Sequence, residues 1–500
     1  MLKMEAAKKT GISRSALLLF FGFLWTSCTS APAPRHQNSS SGISLTAFLH
    51  AIVIPMDVER ALYDYTVVMK NDKIVEVGPA SAVKVPPGAF RIDATGRYLI
   101  PALSDMHVHL LSEAWNMKLP PAAQAEAAGR AMPHDDFLFP FIANGVTMVQ
   151  GLSATPPELS LRKKIEQGEA LGPRLILARM IDAKGKGWPE PLSVKADTAD
   201  EARQAVDQAH AEGYDKMKVY TFLAKEPYDA IISTSHGHGM DVIGHIPEKL
   251  SVEYVLEAGQ KMIAHTEEIA RHAHGDYRPE LIDYYADIMI KHGVWLAPTL
   301  ATTRAIMRVH DDFEGVMGDP ENIYYQHPLQ QAVWSFIANN MYKPHPPAIR
   351  KRIRDDFEQL QQPLTKVFHD KGGKLLVGTD AGWPGLVPGF GLHKELLELV
   401  AVGLTPYEAI KAATTEPFEY LGEADRAGTI EVGKQADLLL LDDNPLQDVR
   451  AASKISGVLL RGRWIGKEEI ARTMREIAAS FKVSRESLPQ RQQEKAPLPR

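Results

Sequence analysis

Cysteine is nearly absent: Cys28 is the only one in 500 residues. No intramolecular disulfide can form, and no cysteine-rich zinc site can be built. Basic residues do not exceed acidic ones, 56 against 62 for a net charge of −6, so nothing points to a nucleic-acid partner. Apolar runs stay shorter than the ~20 residues of a membrane-spanning helix, which excludes a multi-span membrane protein. Hydrophobic residues at 45% and charged residues at 24% exclude a wholly disordered or collagen-like chain. What is plentiful is histidine, 18 in all. Any metal must therefore be held by His, carboxylates or something less usual.

The first 28 residues read as a signal peptide. Lys3, Lys8, Lys9 and Arg14 give a positive start, and Ala16 to Trp25 (ALLLFFGFLW) form an apolar run of signal-core length. Cys28 follows almost directly. The segment resembles a bacterial lipoprotein signal with Cys28 as the lipidated residue, although Trp25 stands where the usual pattern has Leu. The alternative is ordinary cleavage near Ser30–Ala31. Residues 29–42 (APAPRHQNSSS within them) read as a flexible tether. Either way the chain is expected to be exported to the cell envelope of a bacterium, facing the periplasm on a lipid anchor or else secreted.

Residues 43–100 show short β-like runs, with Asn71-Asp72 marking a hairpin. From 101 to 423 short apolar runs alternate with helical stretches. The runs are 102–110, 145–151, 173–180, 215–220, 241–246, 261–266, 294–300 and 374–380. Before the fourth lies TADEARQAVDQAHAEG, an amphipathic helix closed by Gly213. Eight β/α repeats predict an α/β fold of the TIM-barrel, (β/α)8 type. Residues 424–467 read as strands again and are expected to join 43–100 in a small β-sandwich domain formed from both ends of the chain. Residues 468–500 read as a helix and then a disordered tail. Two insertions, 111–136 and 301–368, follow barrel strands one and seven and are candidate lids, against the simpler reading of solvated helical excursions.

The histidines are weighed against chance. With this many His, roughly 0.65 His-x-His pairs are expected at random. Three occur: His107/His109, His236/His238 and His272/His274. His107 and His109 end an apolar run, where strand period two points both to one face, at the barrel end that carries chemistry. His236 and His238 lie in a glycine-broken stretch that reads as a surface loop. His272 and His274 lie in the loop after strand six, within reach of the active face. Other strand ends supply His245, His265 and Asp380. Each alone reads as a satisfied buried polar group. Together they are costly at one end of a closed barrel unless paired or bound to metal. Strand four offers Lys216 and Lys218, which share a strand face, so periodicity does not choose between them.

These residues resemble the metal-dependent amidohydrolase superfamily, nearest its imidazolonepropionase-like and prolidase-like members. IDATGRYLIPALSDMHVHL is similar to the approach to strand one, with Ala102 in place of the usual Gly. GYDKMKVY, GHIP, IAHTEE and GTDAG resemble the motifs of strands four, five, six and eight, and GTIEVGKQADLLLLDDNPL the return into the sandwich. The resemblance covers most of residues 43–467. It implies two divalent metal ions, with zinc as the expected metal. His107, His109 and Asp380 would hold one ion, and His245 and His265 the other. Lys218, at the bridging position, would carry a carbamate, which offers two anionic oxygens where neutral lysine is a poor ligand.

The implied activity is hydrolysis of a carbon–nitrogen bond in a small molecule: a dipeptide, an N-acyl amino acid or a cyclic amide. Asp380 would move the proton and Tyr220, two residues beyond Lys218, would face the developing oxyanion. Glu267 is a candidate for a substrate amine and Arg304 for a substrate carboxylate. Alternatives are a lactonase or phosphotriesterase-like hydrolase, a mononuclear deaminase using His245-Ile-Pro-Glu248, and a non-catalytic metal-binding lipoprotein. A homo-oligomer is compatible with all of them.

Overall fold

The computed structural model describes residues 44–110, 134–188, 190–435 and 437–486. The signal peptide with Cys28, the tether, positions 111–133 of the first insertion and the end of the tail lie outside the described residues.

Five strands precede the barrel: β1 (Leu45–Val53), β2 (Leu62–Lys70), β3 (Lys73–Pro79), β4 (Phe90–Asp93) and β5 (Tyr98–Pro101). Asn71, in the left-handed region at φ 55°, turns β2 into antiparallel β3, as the hairpin signal predicts. The barrel strands are β6 (Leu103–Val108), β7 (Val146–Gly151), β8 (Arg174–Asp182), β10 (Lys216–Val219), β11 (Asp241–Gly244), β12 (Met262–Ala264), β13 (Trp295–Ala297) and β14 (Lys374–Leu375), with the short β9 (Val194–Lys195) beside β8. After the barrel come β15 (Leu438–Leu441), β16 (Ile455–Leu460) and β17 (Arg463–Gly466).

The strands from the two ends form one sheet in the order β17-β16-β15-β5-β1-β2-β3, with β4 beside β1. This sheet folds back on itself. The ring of Phe48 on β1 meets that of Trp464 on β17 at 5.5 Å, although three strands lie between them in the sheet. The two layers enclose Phe48, Met69, Leu99, Leu438 and Leu440. Leu439 and Leu441 point the other way and pack with Ile100 and Ile142 on the barrel side. The run LLLL is thus buried throughout because period two divides it between two cores.

The barrel strands are parallel and in sequence order. They close where Met106 donates its N–H to Val377 O at 2.7 Å and Val108 pairs with Ala381. Both faces of such a strand are covered, so β6 and β7 are buried at every position, which is why they read as unbroken apolar runs. Met106, Met148, Ile243, Met262 and Trp295 fill the barrel, with Tyr420 at one end. The Ala199–Glu212 helix starts where Thr198 Oγ1 accepts the Glu201 N–H and ends at Gly213 in the left-handed conformation, φ 92°. Residues 300–370 are helical almost throughout and several face the cavity above the barrel. A helix over Lys467–Glu486 follows β17.

Candidate active site

A cavity of about 860 Å³ opens at the carboxyl ends of the barrel strands, the end where β/α barrels carry their chemistry. Strand one brings His107 and His109 to its floor, with rings 5.5 Å apart. Strand eight brings Asp380, whose Oδ1 lies 3.2 Å from His107 Nε2 and 2.9 Å from His109 Nε2. Strands five and six bring His245 and His265, with rings 5.0 Å apart, and the His265 ring lies 4.6 Å from that of His107. One ligand atom each from His107, His265 and Asp380 falls within 4.8 Å of the others. The structure thus gathers all five into one group.

Neither contact to Asp380 has hydrogen-bond geometry. Among the described residues, His107 Nδ1 and Nε2 and Asp380 Oδ1 are buried atoms without a hydrogen-bond partner. Each such orphan costs about 1–3 kcal/mol in a closed protein. A cation at the point shared by one His107 nitrogen and Asp380 Oδ1 removes that cost for both atoms, so the donor set fits a divalent metal.

The remaining histidines are held by their outer nitrogen. His109 Nδ1 lies 2.7 Å from Ser153 Oγ. His245 Nδ1 lies 2.9 Å from Glu268 Oε1 and 3.0 Å from Thr221 Oγ1. His265 Nδ1 lies 2.7 Å from Thr299 Oγ1, which itself donates to Pro298 O at 2.8 Å. The Thr299 proton is thereby committed, so the hydroxyl must accept from Nδ1–H. That leaves the Nε2 lone pair of His265 facing the centre. Carboxylate and hydroxyl partners of this kind orient metal-ligating imidazoles.

Burial and mutual repulsion favour the neutral, ligating form of His107, His245 and His265. Burial drives His107 down to about 3 and also lowers His245. Burial and His107 together take His265 well below its ordinary value. Burial alone would raise Asp380 and Glu268. The adjoining histidines outweigh it and hold Asp380 well below the usual carboxylate range, and His245 with Arg271 takes Glu268 to about 2.

The structure separates the two strand-four lysines by height. Lys216 pairs with Asp241 and lies over the Tyr420 ring at 4.6 Å, near the barrel's other end. Lys218 sits one layer higher, on the cavity wall, 1% exposed. Among the described residues no hydrogen bond or ion pair reaches its amine, and burial lowers it to about 8. Two glycines make room here. A Cβ on Gly244, at φ 119°, would meet Val219 O at 2.4 Å and Lys218 Cγ at 2.8 Å, and one on Gly378 would meet His107 Cβ at 2.7 Å.

Tyr220 lies beside the centre, its ring 4.1 Å from that of His245. Its hydroxyl accepts the Trp188 indole N–H at 2.9 Å, which leaves its own proton to be donated. Glu267 also lines the cavity, and burial raises it to about 7. Arg304 does not meet the expectation of a carboxylate site. It forms a two-pronged pair with Glu398 at 2.9 and 2.8 Å and covers the Phe357 ring. The helix Leu300–Gly318 presents Thr302, Thr303 and Ile306 to the cavity, and its turn carries Arg304 to the outer side.

His238 pairs with Asp207 at 2.7 Å and stacks on His210, away from the site. His272 and His274 line the cavity, where both ring nitrogens of His272 meet backbone oxygens. Sequence reasoning does not find Ser153, Thr221 and Thr299, nor Trp188, Tyr342 and Trp383 of the cavity wall. Glu268, adjoining the strand-six histidine, is the one partner whose position signals a role.

With this geometry in view, three comparisons place the chain. The model of the amidohydrolase family matches residues 98–465. A 5-methylthioadenosine/S-adenosylhomocysteine deaminase of Symbiobacterium thermophilum is 23% identical over 405 residues, 78% of this chain and 83% of that protein. Among solved structures, a Xaa-Pro dipeptidase with bound methionine is similar with a TM-score of 0.63 at 21% identity, covering 85% of this chain and all of that one. A bottromycin amidohydrolase is similar with a TM-score of 0.66 at 21% identity, covering 87% of this chain and 90% of that one. The chain belongs to the amidohydrolase family, hydrolases of carbon–nitrogen bonds, and carries the barrel fold of that family's prolidase-like members with a His/Asp cluster suited to a divalent metal.

Proposed function

We propose that the protein hydrolyses an amide bond in a dipeptide, an N-acyl amino acid or a cyclic amide, using two divalent ions, with zinc as the metal that the family resemblance implies. His107, His109 and Asp380 would hold one and His245 and His265 the other, with Lys218 between them as a carbamate. One observation carries the reading: among the described residues, buried atoms on His107 and Asp380 lack hydrogen-bond partners, and no hydrogen bond or ion pair reaches the amine of buried Lys218. A carbamate forms on a neutral amine, and burial, which outweighs the nearby charges of Asp380 and Glu268, favours that form of Lys218. When bound, the ions supply Lewis acidity and a water of lowered pKa.

The chain's own groups supply the rest. Asp380, held anionic among the histidines, takes the proton of the attacking water and returns it to the leaving nitrogen. Tyr220, its hydroxyl oriented by the Trp188 N–H, donates to the carbonyl oxygen as charge builds there. Glu268 and Thr299 keep His245 and His265 in register.

Metal analysis of the purified protein should give about two divalent ions per chain. A panel of dipeptides, N-acyl amino acids, cyclic amides, lactones and aminated heterocycles should show amide cleavage. Lys218→Ala should lose turnover and regain part of it with short carboxylic acids. Full activity of that variant overturns the bridging role. A second reading, deamination, is favoured by Glu248 of His245-Ile-Pro-Glu248, which lines the cavity. Ammonia release from the heterocycles, with a single ion bound, would select it.

We also propose export to the cell envelope with Cys28 as the lipidated residue. Palmitate labelling in a bacterial host tests this, and a soluble, unlabelled product would favour simple secretion.

A further inference from the structure

The cavity wall is divided between apolar and charged sides. Four aromatic rings, from segments distant in sequence, form an arc along one side. Tyr220 begins it beside His245. Trp188 donates to the Tyr220 hydroxyl, and its ring lies 5.7 Å from that of Trp383. Tyr342 follows, 6.2 Å from Trp383, and lines the same cavity as Glu267. The arc therefore starts beside His245 and shares its cavity with a carboxylate.

Glu267 differs from Glu268, Asp356 and Asp380 around it, and from Glu248, which lines the same cavity but is exposed. Glu268 is engaged by His245 and Arg271. Asp356 accepts from Tyr277 at 2.7 Å and from Arg352 at 3.3 Å. Asp380 belongs to the ligand group. Among the described residues no hydrogen bond or ion pair reaches Glu267, although it sits in the cavity wall beside the strand-six histidine, and Arg271, whose charge acts on it, is already paired with Glu268. A carboxylate without a partner in such a place is costly until a cation meets it. Aromatic faces carry the same preference, since their negative quadrupole attracts cations and repels anions. An ammonium satisfies both, with N–H groups for the carboxylate and charge for the rings.

We propose that Glu267 and the wall of Trp188, Trp383 and Tyr342 select substrates that carry a protonated amine on a bulky apolar group close to the scissile amide. The inference rests on the hydrolase reading and chooses among its substrates. A dipeptide with a free amino terminus fits. An N-acyl amino acid does not, because its nitrogen is an uncharged amide that gives Glu267 no counter-charge. The cavity volume accommodates a large side chain on the amine-bearing residue.

Two measurements test this, one without catalysis. Calorimetric titration of the full chain with phenethylamine and with phenethyl alcohol compares a cation with a neutral molecule of the same shape, and neither can be hydrolysed. The amine should bind about tenfold more tightly or better, and Glu267→Gln should reduce that preference to about threefold or less. Equal binding of the two by the native protein overturns the proposal, whether or not the variant folds. So does a preference that survives in a folded Glu267→Gln protein.

The second measurement compares kcat/KM of the metal-loaded enzyme on phenylalanyl-leucine and on its N-acetyl form. A preference of about tenfold or more for the free amine is expected. Equal cleavage, or preference for the acetylated peptide, overturns the ammonium site. If neither is cleaved while the native protein still prefers phenethylamine, peptide hydrolysis fails and the ammonium site stands.

Discussion

Thr299 Oγ1 stands 2.7 Å from His265 Nδ1, and both residues hold left-handed backbones, at φ 53° and φ 70°. Asp380 does the same at φ 54°. Such conformations cost about 1–3 kcal/mol each for residues other than glycine, and a β-branched threonine is an especially poor occupant. Three of them, after strands six, seven and eight, aim His265 and Asp380 into the cavity and set Thr299 against His265. Thr299→Val keeps the shape and removes the acceptor, leaving the His265 Nδ1–H unpaired. Metal affinity should fall roughly 10–100-fold, with Thr299→Ser close to native. Competition against a chelator of known affinity measures this, and unchanged affinity in Thr299→Val would show that the hydroxyl does not orient the ligand.

Gly244→Ala should be severe for a small change. The added methyl meets the Val219 carbonyl and the Lys218 stem, at a φ that L side chains rarely adopt. The conformation alone costs about 1–3 kcal/mol, read as a lowered urea midpoint. The neighbouring Lys218 is displaced as well, so turnover should fall further than that of an equally destabilised variant on the outer helices. A folded Gly244→Ala protein with native kcat would show that Lys218 needs no defined place.

Much of this was legible in the chain, for physical reasons. Barrel strands are buried on both faces, so each appeared as a short apolar run, and the strand ends then gave His107, His109, His245, His265 and Asp380. The last run was the least faithful. It predicted a strand over 374–380, but the regular strand stops at Leu375: Leu376 still donates to Leu296 O of β13, and Val377 then turns to the Ala412 carbonyl and Thr379 to His107 O of β6. What could not be read were features assembled across the sequence. Ser153, Thr221 and Thr299 each supply one hydroxyl from a separate loop, with no period to betray them. Trp188, Tyr342 and Trp383 meet only in space. Arg304 was misread because its loop is a helix, whose turn sets which neighbours face inward.

Glu395 links stability to pH. It is fully buried, and its oxygens accept the N–H groups of Leu300 and Ala301 at 3.0 and 2.7 Å, next to Thr299. Burial raises its carboxyl to about 8. Above the ordinary value of 4.5 the unfolded chain has lost this proton while the folded chain keeps it, so stability falls as pH rises from there to about 8. Glu395→Gln mimics the protonated acid and should flatten that decline. Urea unfolding across this range measures it, and parallel curves for the two proteins would show that Glu395 ionises alike in both states.

Arg304 offers the converse case, a cation that sequence position placed near substrate and the fold placed elsewhere. Arg304 is 44% exposed and its partner Glu398 14%, and the Arg304 guanidinium covers Phe357. Exposed pairs contribute about 0–1 kcal/mol, and the lost stacking adds to that. Arg304→Met should therefore lower stability modestly and leave kcat/KM on the best substrate within about twofold. A large rise in KM with unchanged kcat would mean that Arg304 leaves Glu398 to bind substrate, since that pattern marks a lost contact shared by ground and transition states. Arg271 supplies the contrast. It lines the cavity and braces Glu268 against His245, so its loss should reduce metal affinity and turnover together, whereas loss of Arg304 should change neither.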